Sequence, residues 1–330
     1  TPEVHYAIGY VLGELYQERG AVLERMFEGA SLARERAQLE ERYLAPARRH
    51  LERALGSRLA SPRYAEGLLS LHTGKLAEAL RKAEEVTAQE PWRYEAHGLA
   101  GDALLAQGVQ ERDRGDYPGS EAYFTQAVAQ FEQAAQIARS DQRMQEAEAR
   151  ARLHRMQAQI EQGKPVQSEM AAIRSACERA VRINPDSPTP YEILVWAYGR
   201  QTWNLTLRQE DPRPLLSPAM AAAAQAIARG TRSALLYETL GDMHRSQAYY
   251  DMAHGGDPRP ELGLARSAMR QALALGWAGL VDAVPALLDL LGVEDEEVKR
   301  AAGAALERML GAKLVDQIEV MPEMIEETDV

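Results

Sequence analysis

The sequence predicts an all-α fold, an α-solenoid of about six stacked helix pairs, on three observations. First, one unit recurs at a spacing of 46 residues: Tyr191 is answered by Tyr237, Leu194 by Leu240, Tyr198 by His244, and the loop Asp211-Pro212-Arg213-Pro214 by Asp257-Pro258-Arg259-Pro260. Second, a face of small residues follows each loop, Ala219, Ala222 and Ala226 in one copy and Ala265, Ala268 and Ala272 in the other. Third, 330 residues exceed what one ordinary core supports, and alanine and arginine abound, as long, closely packed helices require. A fixed period in the range of about 20 to 50 residues marks an array in which each unit buries its apolar face only against its neighbours.

Taken in order, the first unit carries Leu12-Gly13-x2-Tyr16 on a helix running towards Met26, and its partner is a long helix ending near Leu55. Ser61-Pro62 then offers a capping hydroxyl followed by proline in the first helical position. The second unit reads as helices over 62–73 and 75–89, with Gly67, Ala79, Ala83 and Val86 at packing positions, Gly74 in the turn and Pro91 at the exit. The third opens at Trp92 and carries Leu99-Ala100-Gly101-Asp102 on a first helix about two turns longer than the normal repeat length, closed by Gly115-Asp116-Tyr117. Ser120, Phe124 and Ala127 line its return helix. The fourth is marked mainly by Ile173, Cys177, Ala180 and the exit Asn184-Pro185-Asp186. The fifth and sixth are the two copies; in the last, Gly255-Gly256-Asp257-Pro258 ends the first helix and the return helix spans roughly 261–275.

The run Tyr237-x2-Leu240-Gly241-x2-His244, with small residues on the second helix and proline at the exits, resembles the tetratricopeptide repeat. That resemblance covers 1–275 and implies a right-handed solenoid whose first helices line a groove for a protein or peptide partner. Over 276–312, Val284-Pro285-x-Leu287-Leu288 and Val298-x-Arg300-Ala301-Ala302 resemble one HEAT repeat, which implies a capping unit; 313–330 reads as an acidic tail. The stretch from Trp92 through Gly101-Asp102, Gly115-Asp116-Tyr117 and Ile137-Ala138-Arg139-Ser140-Asp141, with the paired loops, is similar to the tetratricopeptide regions of large bacterial serine/threonine protein kinases. This likeness implies a regulatory or sensor region of a bacterial signalling protein. The kinase motifs themselves are not in the sequence, since His244-Arg245 is followed by Ser246 inside a helix.

Charge and motif content narrow the chemistry. A net charge of -11 argues against nucleic acid, which demands a basic face. One cysteine, Cys177, excludes an internal disulfide framework, and no run is long and apolar enough to span a membrane, so the expected compartment is the cytoplasm. The chain begins at Thr1 and not at Met, which points to a fragment or a processed chain. The seven histidines show no zinc-binding spacing, and no cofactor or metal is expected. Cys177, between Ala176 and Ala180, reads as a packing residue and not a nucleophile.

The binding candidates are therefore the groove residues of the first helices: Tyr64, His72, Asp102, Trp196, Arg200, Trp203, Asp242, Arg245 and Tyr249, rich in the aromatic and arginine side chains that dominate interfaces. Trp196 and Trp203 share one helical face and are also candidates for core. Arg213 and Arg259 could serve as oxyanion contacts, although loop stiffening alone accounts for the Asp-Pro-Arg-Pro sequence. The expected function is a non-catalytic protein-interaction scaffold; the alternative is a peptide or small-ligand sensor whose curvature changes on binding.

Overall fold

A computed structural model describes residues 2–26, 29–55, 61–231 and 233–275, and the regular structure among them is entirely helical. The expected HEAT-like unit and acidic tail lie outside the described residues. In the first pair, α1 (Pro2–Met26) packs against α2 (Gly29–Leu39) and α3 (Ala45–Ala54), which join through one wider π-helical turn, Glu40–Leu44, into the expected long partner. Five more pairs follow: α4 (Pro62–His72) with α5 (Leu76–Gln89), α6 (Tyr94–Asp113) with α7 (Tyr117–Ile137), α8 (Gln142–Glu161) with α9 (Gln167–Ile183), α10 (Thr189–Leu207) with α11 (Arg213–Ala228), and α12 (Ala234–Ala253) with α13 (Arg259–Ala274).

Local sequence sets the boundaries. The Ser61 hydroxyl accepts the amide of Tyr64 at 3.1 Å, and Asp116 and Asp141 accept from Gly119 and Arg143 at 2.9 and 3.0 Å, so one orphan donor of α4, α7 and α8 finds a side-chain oxygen. Gly74 and Gly115 take φ of +73° and +82° in the turns after α4 and α6, a region that other residues enter only with strain.

In the α6–α7 and α12–α13 pairs, large side chains of the second helix press on small residues of the first. Phe131 and Phe124 of α7 are fully buried against Gly101 and Gly108 of α6, and Met269 of α13 lies on Gly241 of α12. The first helices of successive pairs also touch one another, α4 with α6, α6 with α8, α8 with α10 and α10 with α12. Second helices of successive pairs scarcely meet among the described residues.

Candidate functional site

Two of the expected groove residues are core. Tyr64 is 5% exposed and His72 2%, because α1 lies over the face of α4 that was expected to be open. The Tyr6 ring sits 6.3 Å from that of Tyr64, and the His72 imidazole lies directly on Gly13, so both serve the α1–α4 contact and are corrected from binding residues to packing residues. Among the described residues His72 has no hydrogen-bond partner on either ring nitrogen, and burial pulls its pKa down to about 4, which keeps it neutral. Asp102 is exposed on α6, two helix pairs before α10.

The remaining candidates do converge. On α10, Trp196, Arg200, Trp203 and Leu207 follow one another at helical spacing along a single stripe. Asp242, Arg245, Tyr249 and Met252 make the corresponding stripe on α12. The 46-residue repeat pairs Trp196 with Asp242 and Trp203 with Tyr249, and α10 packs directly on α12 where Gly199 meets Thr239, so the two stripes form one surface. Trp203 is 46% exposed, Leu207 65%, Tyr249 49% and Met252 56%, a concentration of large apolar side chains that the core leaves uncovered. Trp196 is half-buried at the base of the stripe, packed against the cluster that holds Ile193, Ala197 and Met243, and its buried indole nitrogen has no partner among the described residues. Arg245 pairs with Asp242 at 2.8 Å at the edge, and Arg200 is exposed beside Trp203.

Rigid helices hold this surface. The Ser233 hydroxyl caps α12 by accepting from Leu236 at 3.3 Å, and His244 is tied to Glu261 of α13 at 2.7 Å. The Asp-Pro-Arg-Pro loops are self-contained. Arg213 returns to Asp211 at 2.7 to 3.0 Å and Arg259 to Asp257 at 2.8 and 2.9 Å, and Arg213 also lies 5.0 Å over the Tyr250 ring. Each arginine thus closes its own turn first, which holds Asp211 and Asp257 below the usual carboxylate range.

No protein-family model matches the sequence, and no curated protein matches it. The functional reading rests on the residues themselves.

Sequence reasoning missed a second feature. A cleft of about 650 Å³ opens between α7 and α9, floored by α8, and Glu132, Arg139, Gln145, Glu148, Arg152, Ser175, Arg179 and Arg182 reach it. Glu148, 3% exposed, accepts from Arg152 at 2.9 Å and from Arg179 at 2.6 Å; Glu169 accepts from Arg155 at 2.6 Å and lies 3.5 Å from Arg152, which also pairs with Glu132. The only sequence signal for this network is the Glu148–Arg152 spacing on one helical face. Among the described residues no group of three or more His, Cys, Asp or Glu is placed to hold a metal ion, and no helix is long and apolar enough to cross a membrane. Cys177 is buried in the α8–α10 core, and burial pushes its thiol up to about 12.

Proposed function

We propose that this chain is a non-catalytic protein-interaction scaffold, a right-handed solenoid of tetratricopeptide-like pairs that takes an extended peptide along the α10–α12 stripe. The observation that carries the reading is the exposure of the repeat-related pair Trp203 and Tyr249, with Leu207 and Met252 beside them, on two helices in direct contact. Aromatic anchors bordered by arginines are the usual centre of a protein interface. The contacts between successive first helices support this reading, because in a curved stack the helices of the inner side approach one another while those of the outer side spread apart. The absence of a catalytic motif from the sequence supports the non-catalytic part. The likeness to kinase-associated repeats supports a narrower form, a regulatory region of a cytoplasmic bacterial signalling protein. An upstream reading frame without a kinase domain would remove that narrower form alone.

The test is site-specific photocrosslinking in the source cells. A crosslinking phenylalanine analogue at Trp203 or Tyr249 should capture one common protein, whereas the same group at exposed Glu84 of α5 or Arg266 of α13 should not. Trp203→Ala should then weaken that partner by about 2 kcal/mol while leaving folding stability nearly unchanged. Equal capture from all four positions would refute the proposed face.

A second reading, a small-ligand sensor, is favoured by the cleft between α7 and α9, whose volume lies within the range of small-molecule sites.

A further inference from the structure

We propose that the cleft between α7 and α9 binds a small polyanion through Arg139, Arg179 and Arg182. This rests on the sensor reading for its purpose but not for its chemistry, which follows from how the arginines are placed. Four arginines line the cleft against two glutamates, in a chain whose overall charge is -11. Arg139 follows the C-terminus of α7, and Arg182 sits in the last turn of α9. Both are exposed; Arg182 forms no ion pair among the described residues, and Arg139 makes only a long contact, 3.4 Å, with the carbonyl of Gln136. Their guanidinium groups therefore face the cleft mouth without a carboxylate.

Arg179 stands between them in a fixed pose. Its Nε donates to Gln145 at 2.6 Å, one Nη to Ser175 at 3.0 Å and the other to Glu148 at 2.6 Å. A guanidinium carries five N–H groups, so two of them remain to point outward, and the side chain is 35% exposed. Arg152 beneath it is fully engaged by Glu132, Glu148 and Glu169, which holds the floor rigid. Ala135 and Ala172 leave the walls without bulk, so the space stays open. A rigid arginine flanked by two free ones suits a ligand with two or more oxyanionic groups, carboxylate or phosphate, because guanidinium binds either in the same forked manner. Preorganisation by the glutamates lowers the cost of ordering the site on binding.

The experiment is isothermal titration of the full chain at low ionic strength with citrate, with pyrophosphate and with a hexaglutamate peptide, each against wild type and Arg139→Ala/Arg182→Ala. Both substituted residues are exposed, so folding is retained, and a far-ultraviolet circular dichroism melt checks it. Saturable binding of at least one free anion, weakened about tenfold or more in the double variant, is the expected result. Binding of hexaglutamate alone would mean that the carboxylates belong to an acidic peptide and would overturn the small-ligand assignment. Absence of saturable heat with all three probes would overturn the site. So would an equal loss in Arg266→Ala/Arg270→Ala, a charge-matched change on α13. Small-angle scattering on the same samples separates the two claims: binding without a change in radius of gyration keeps the site and ends the sensor reading.

Discussion

Gly101→Ala gives the sharpest test of how these helices are packed. A methyl group at Gly101 would stand 2.7 Å from two ring atoms of Phe131 and 2.9 Å from a third, where ordinary carbon contacts lie near 3.5 to 4.0 Å. Phe131 is 1% exposed, so the added methyl strains the contact between α6 and α7. Such overpacking typically costs about 1 to 3 kcal/mol. Alanine also recovers about 1 kcal/mol of helix propensity, which leaves a net loss of about 1 kcal/mol. Gly263→Ala on α13 isolates the propensity term, because nothing lies within 4 Å of the new methyl, and it should stabilise by about 1 kcal/mol. Gly241→Ala should fall between them, since the nearest atom is the flexible end of Met269 at 2.8 Å. Urea titration followed by circular dichroism ranks the three, and amide hydrogen exchange should place the Gly101→Ala loss in α6 and α7. If Gly101→Ala proved as stable as Gly263→Ala, the close approach of α6 and α7 would be refuted.

Three further outcomes are expected. His72 has a depressed folded pKa of about 4 against about 6.5 unfolded, so the unfolded chain binds the extra proton between those values; stability is full above about pH 6.5, falls by up to about 3 kcal/mol towards pH 4, and His72→Leu should flatten that decline in urea midpoints. Cys177, buried with its thiol raised to about 12, should resist a disulfide exchange reagent in the native chain and react at once in denaturant, and rapid native labelling would contradict its burial. Glu148→Gln removes the charge shared by Arg152 and Arg179 and should destabilise by about 3 kcal/mol in the same titration, because breaking one partner of a buried pair leaves the other charges uncompensated.

The helical architecture was legible because its signals are local. The 46-residue copy, the cap at Ser61 and the turn glycines each fix a helix end without reference to anything distant. The stripe of Trp203 and Tyr249 was legible for the same reason, helical spacing joined to an internal repeat. Tyr64 and His72 were misplaced because their fate depends on α1, which packs over α4 at a position that no repeat phase encodes. α8 was the weakest element to read, since its buried face includes Gln145, Glu146 and Glu148, residue types that normally mark the solvent side. They are buried because arginines from α8 and α9 and the hydroxyl of Ser187 satisfy them, and burial still raises the Glu146 carboxyl despite its 3.0 Å bond from Ser187.

The polar floor also links the two surfaces. Buried ion pairs contribute little net stability compared with well-packed apolar residues, so the α8 network does not need to be there to hold the stack together. What it does hold is α8 itself, between the cleft on one side and α10 on the other. An anion bridging Arg139 and Arg182 would draw together the C-terminal ends of α7 and α9, second helices that otherwise scarcely meet. Because α8 packs on α10 and α10 on α12, a tilt of the α8–α9 pair would reach the aromatic stripe. The size of the shift cannot exceed the ligand's preference for the closed cleft, roughly 1.4 kcal/mol for a tenfold difference in affinity. Partner affinity at Trp203 and Tyr249, measured with and without a saturating anion, should therefore change by no more than that same factor, and by the same factor in the reverse direction when the anion is titrated against the bound complex.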